Sequence, residues 1–82
     1  MKDTSLRIDL HLYSVLRDKL PPEARGRTQL VLDKGATLSD VFQVMDIHHR
    51  VVVSVNGVQE TDWERPLVDG DTVRIFSSVG GG

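Results

Sequence analysis

The residues of this chain with the clearest chemical potential are its last four, Val79-Gly80-Gly81-Gly82. Glycine loses more backbone freedom on ordering than any other residue, so a run of three needs a reason. One reading makes the terminal carboxylate a reagent. A tail without side chains threads a narrow channel, and Val79 to Gly82 fully extended reaches about 13 Å. The other reading is a frayed terminus that does nothing. On these four residues alone the two stand level.

A second group lies just before the tail. Arg74 and Phe76 share one parity of an alternating segment, opposite to Val73 and Ile75. If Val73 and Ile75 face the interior, Phe76 lies on an open sheet face, where an aromatic side chain can anchor a partner. Arg7, Asp9, His11 and Tyr13 form a similar outward row near the N-terminus. Placed beside Arg74 and Phe76, they would make a mixed charged and aromatic surface suited to a transient interface. Arg74 is the best polar contact, since its fork can pair a carboxylate bidentately. Phe76, Arg74, His11 and Tyr13 are the candidate docking residues, and an ordinary solvated sheet face with a chance exposed or secondary-core Phe76 is the other reading.

Other candidates are better explained as structure. His48 and His49 are adjacent and point apart, and no cysteine or nearby carboxylate completes a tetrahedral set with His11, so no metal site is expected. Asp69-Gly70-Asp71 lacks further ligands at EF-hand spacing and reads as a turn. Ser77-Ser78 have no histidine base at a known spacing. Trp63 reads as a cover over the edge of the core, and Pro21-Pro22 as a helix stop.

Composition narrows the function classes. The 82 residues carry no cysteine, which excludes disulfides, thiolate metal sites and a thiol nucleophile. The net charge of −2 is mixed along the chain, without the basic stripe of a nucleic-acid binder. Neither a signal peptide nor a run of membrane-spanning length is evident, so a cytoplasmic protein is expected, with no nucleic-acid or membrane partner.

The elements that must position these residues follow from periodicity. Leu6, Ile8, Leu10 and Leu12 alternate with Arg7, Asp9, His11 and Tyr13, which is a half-buried strand. Ser14 to Leu20 fits a short helix or turn with Ser14 as a candidate N-cap, and 23–26 reads as loop. Residues 28–32 form a second strand. Thr37-Leu38-Ser39-Asp40 resembles a capping box with Asp at its fourth position. Leu38, Val41, Phe42 and Met45 then make one apolar helix face, ending near Met45 to Ile47. Val51 to Val55 is a third strand, Asn56-Gly57 a tight hairpin turn, and Val58-Gln59 a short return. Residues 61–66 are irregular, and residues 72–78 form the last strand. The expected fold is α+β, a mixed sheet packed on one main helix, in the order of a β-grasp (ubiquitin-like) domain. The domain would span residues 1–78, with 79–82 a flexible tail.

The same pieces carry a family resemblance: Tyr13-Ser14-Val15-Leu16-Arg17, Gly35 to Val41 opening the helix, Val53-Ser54-Val55-Asn56-Gly57, Leu67 to Val73, and the closing Gly81-Gly82. In this order the chain resembles the MoaD/ThiS-type sulfur carriers, which include the molybdopterin synthase small subunit. The resemblance covers nearly everything after Ser5. It implies that an ATP-dependent, E1-like activating enzyme adenylates the terminal glycine, here Gly82. A sulfur donor then makes a thiocarboxylate, and an acceptor enzyme such as a molybdopterin synthase large subunit takes the sulfur. An α-carboxylate has a pKa of about 3.5 and is ionised and unreactive at neutral pH, which is why it needs activation. Gly80 and Gly81 would lie in the partner's channel. Such a carrier is a protein cosubstrate, not an enzyme, and binds no cofactor; ATP and magnesium belong to the activating partner. Gly80 departs from the family, where another small residue often precedes the diglycine. The long connection from Ser14 to Arg27 favours the molybdopterin type over thiamine, cysteine or tRNA-thiolation carriers. A ubiquitin-like modifier joined to lysines is the alternative.

Overall fold

The computed structural model describes residues 4–77. The boundary placed at Ser78 and the glycines Gly80, Gly81 and Gly82 lie outside the described residues.

Five strands form one mixed sheet: β1 (Ser5–Leu12), β2 (Arg27–Asp33), β3 (Val51–Val55), β4 (Val58–Glu60) and β5 (Thr72–Ser77), in the spatial order β2-β1-β5-β3-β4. β1 and β5 run parallel and every other pair is antiparallel. A seven-residue helix, α1 (Leu38–Val44), connects β2 to β3. This is the β-grasp arrangement expected from the order of elements.

Strict alternation decides which face is which. Ile8, Leu10, Val53, Val73 and Ile75 are wholly buried, and so are Leu38 and Val41 of α1. Side chains of this kind contribute about 1.5–3 kcal/mol each on burial, so their rows fix the register of every central strand. A one-residue slip would turn a whole row to solvent. β2 contributes less, because Leu30 and Leu32 are only partly buried at the sheet edge.

The helix begins as its sequence requires. Thr37 occupies the N-cap, and its N–H donates to the Asp40 carboxylate at 2.8 Å, the reciprocal arm of a capping box. It ends at Val44, slightly earlier than its apolar periodicity predicts. Asp46 takes a left-handed conformation (φ 58), and Ile47 N–H donates back to the Phe42 carbonyl at 2.8 Å. With Asp46 N–H donating to the Gln43 carbonyl, this is a Schellman termination, unusual in having aspartate at the left-handed position. Lys19 Nζ adds a hydrogen bond to the Asp46 carbonyl at 2.8 Å.

Three details differ from the sequence reading. The segment after β1 is a 3₁₀ turn over Ser14–Lys19, and its N-cap is Tyr13, not Ser14. Ser14 itself has φ 56, a left-handed geometry unlike the extended backbone typical of an N-cap. The stretch read as loop contains a second 3₁₀ turn, Pro22–Ala24, with proline at the first helical position where its missing N–H costs nothing. β2 extends one residue further at each end than expected.

The two aspartates of Asp69-Gly70-Asp71 are occupied by the fold. Asp69 Oδ1 accepts from Arg7 N–H at 2.7 Å. Asp71 accepts from Val68 N–H at 2.9 Å and from the Asn56 side chain at 2.8 Å. The loop ties β5 to β1 and to the β3–β4 hairpin and is a turn, as its composition implied. Trp63 meets Phe42 edge-on with ring centroids 5.2 Å apart, covering one end of the core.

Candidate functional site

The helix covers one face of the sheet, and the other is open. β5 lies at the centre of that open face, so its outward residues are flanked on both sides. His11 of β1 is in register with Arg74, and on the other side Ser54 of β3 pairs with Arg74 and Val52 with Phe76. Tyr13 follows directly on β1, and its N–H donates to the Ile75 carbonyl at 3.2 Å. That bond carries the parallel ladder one step further and brings the tyrosine ring onto Phe76. The two rings stack with centroids 4.3 Å apart and planes 9° from parallel. The structure thus brings together Phe76, Arg74, His11 and Tyr13, the four residues singled out from sequence.

The stacked pair stays accessible. Phe76 retains 39% of its surface and its neighbour Val52 retains 41%. An aromatic pair with an adjacent valine, exposed at the end of the last strand, forms a pre-assembled apolar contact. Stacking limits the freedom of each ring, so little side-chain entropy would remain to be lost if a partner were to contact the pair. Val52 joins this patch through its parity opposite Val51 and Val53, a signal carried by the β3 sequence itself.

Cations border this patch. Arg27 opens β2 in register with His11, and Arg74 lies on the other side of the same imidazole. The His11 pKa is pushed below its ordinary value, chiefly by burial and then by Arg27 and Arg74, with only Asp9 opposing. His11 is therefore biased toward its neutral form at the centre of a positive field.

The remaining candidates separate as follows. His48 pairs with Asp46 at 2.5 Å, while His49 lies 3.4 Å from Ser77 Oγ, so the two histidines do diverge. Among the described residues no group of three or more potential ligands could hold a metal ion. β3 and β5 pair at Val51 and Ser77 and so carry His49 to Ser77, a contact that follows from strand pairing and not from any known sequence spacing. Among the described residues no acid hydrogen-bonds His49, so the contact lacks the orienting third group of a nucleophilic constellation.

The model of the ThiS family matches residues 13–82, from the stacked tyrosine through the last glycine. The chain belongs to the ThiS family. Members of this family work with E1-like activating enzymes and acceptor partners. Solved structures share the ubiquitin-like β-grasp fold. The HVO 2177 protein of Haloferax volcanii superposes with a TM-score of 0.78 at 20% identity, covering 100% of this chain and 92% of its own. A putative molybdopterin converting factor subunit 1 from Pyrococcus furiosus gives 0.72 at 20% identity, covering 90% and 99%. Small archaeal modifier protein 1 of H. volcanii gives 0.72 at 14% identity, with the same coverage. No curated protein matches the chain. Among the described residues no helix is long and apolar enough to cross a membrane.

Proposed function

We propose that this ThiS-family protein is a cytoplasmic sulfur carrier whose reacting group is the carboxylate of Gly82. An E1-like activating enzyme, using ATP and magnesium, transfers AMP to that carboxylate and releases pyrophosphate. A sulfur donor at the sulfide level displaces AMP and leaves a thiocarboxylate on Gly82. An acceptor enzyme then takes the sulfur. Gly80 and Gly81 supply the bare backbone that a closed channel requires. The carrier contributes a docking face and a terminus, and its partners contribute the catalysis.

The observation that carries this reading is the family match running from Tyr13 through Gly82. The open-face patch supports it, because Tyr13, Phe76 and Arg74 gather where β5 leads toward the glycines. Molybdopterin synthesis is the favoured pathway. Its support is the long β1–β2 connection and the likeness in fold to a putative molybdopterin converting factor subunit. A second reading, a modifier attached to lysines through the same glycine, is favoured by the likeness in fold to small archaeal modifier protein 1.

Intact mass of the protein from its native host, recovered under non-acidic conditions, tests both. Replacement of one oxygen by sulfur, localised to Gly82 and lost on deletion of Gly82, is the expected result. Isopeptide links to lysine with no thiocarboxylate would select the modifier. If neither an adenylate nor a thiocarboxylate forms with ATP, sulfide and the host's activating enzyme, the carrier reading is wrong.

A further inference from the structure

The connection from β1 to β2 folds back against the end of β1. Leu12 N–H donates to the Gly26 carbonyl at 2.7 Å. Gly26 is buried, and the Arg17 side chain lies over it: a Cβ there would stand 3.1 Å from Arg17 Cγ and 3.3 Å from Nε. Arg25 holds a left-handed conformation (φ 55), and Arg27 starts β2 opposite His11. The result is a cleft of about 180 Å³ whose polar lining is His11, Tyr13, Arg17, Arg25 and Arg27.

Three arginines, Arg17 of the first 3₁₀ turn and Arg25 and Arg27 on either side of Gly26, thus line one small space. None of them makes an ion pair with a carboxylate among the described residues, whereas Arg65 pairs with Glu60. The surplus of positive charge stands out in a chain whose net charge is −2. The volume falls below the roughly 300–1,000 Å³ of pockets for larger organic ligands, so a small occupant fits. A planar carboxylate satisfies one guanidinium fork. A tetrahedral dianion offers oxygens in several directions and accepts from several forks at once.

We propose that the cleft bounded by His11, Tyr13, Arg17, Arg25 and Arg27 is an oxyanion-binding site for a phosphate-class dianion, free or carried as a phosphoryl group. Binding there offsets two of the three like charges and favours protonation of His11, which faces Arg27 from β2, Arg74 from β5 and Asp9 from its own strand. By linkage, binding raises the His11 pKa. The site does not depend on the sulfur-carrier reading.

The test is titration of the isotopically labelled full chain with inorganic pyrophosphate, followed by amide and His11 ring signals. Ionic strength is held constant with sodium chloride, and sodium glutamate serves as the carboxylate control. The expected result is saturable shifts confined to His11, Tyr13, Arg17 and 25–27, with the His11 pKa raised at saturation. Arg27→Gln should weaken binding about tenfold or more. Arg17→Gln with Arg25→Asn and Arg27→Gln should abolish it. If the triple variant does not fold, Arg27→Gln alone decides. AMP in parallel distinguishes the sources: saturation by AMP assigns a nucleotide-borne phosphoryl group, and saturation by pyrophosphate alone assigns the free ion. Shifts no larger than those with glutamate, shifts spread over distant cations such as Arg7 and Lys34, or unchanged binding by Arg27→Gln would overturn the proposal.

Discussion

Substituting alanine at Gly26 tests whether the β1–β2 connection is held by close backbone approach. Two penalties combine there. Gly26 has φ 78, and a left-handed alanine costs about 1–2 kcal/mol. The added Cβ would also stand 2.6 Å from the Leu12 carbonyl oxygen, closer than real contacts allow. Because that oxygen is backbone, relief requires the connection or the end of β1 to move, at a further cost of about 1–3 kcal/mol. Gly57 isolates the first penalty, since it has φ 86 and no atom within 4 Å of the added Cβ. Gly57→Ala should therefore lose about 1–2 kcal/mol and Gly26→Ala about 2–5 kcal/mol. For a domain of this size one kcal/mol moves Tm by about 4–8 °C, so Gly26→Ala should melt at least about 4 °C below Gly57→Ala. The assay is thermal unfolding of both variants in one buffer. Equal Tm values would refute the close-approach argument.

Phe76→Ala should weaken binding of the activating enzyme by more than about 1 kcal/mol, measured calorimetrically, because it removes half of the exposed stack. Unchanged affinity with an intact fold would show that Phe76 is not an anchor. Asp40→Ala removes the acceptor of the Thr37 N–H and a favourable charge in the first turn of a short helix; about 1 kcal/mol lower stability in urea is expected. Since the His11 pKa is lowered in the folded protein, its contribution to stability is complete above the ordinary imidazole value of about 6.5 and is lost as pH falls through the folded value. Urea midpoints across that window should fall more for the wild type than for His11→Gln, and parallel curves would contradict the assignment.

The strands were legible because alternation is strict. Leu6 to Tyr13 admits only one inward row, Val51 to Val55 reads as a strand from its β-branched run with Ser54 marking the outward parity, and the outward row of β5 placed Arg74 and Phe76 on the open face without knowledge of the pairing. Pairing itself is not local information. Only the parallel register of β1 with β5 sets His11 beside Arg74, and only the continuation to Tyr13 makes a stack with Phe76. Local chemistry also misled at Ser14, a good capping residue by type that sits one position too late and in a left-handed conformation. The helix stop was blurred because Asp46 performs a turn usually given to glycine. The arginine cleft was invisible because its residues are spread over the connection and converge only when Gly26 docks on Leu12.

The central place of β5 has a mechanical consequence. β5 runs parallel to β1 and antiparallel to β3, with registers of four and five residue pairs. Its hydrogen bonds run across the strand toward β3 and at a slant toward β1. A pull along the strand from its C-terminal end, as from a partner gripping the residues beyond Ser77, meets both ladders in shear. All rungs then resist together, whereas a pull on edge strand β4 across its ladder would open them one at a time. A partner can therefore draw on the segment beyond Ser77 while the domain holds its shape.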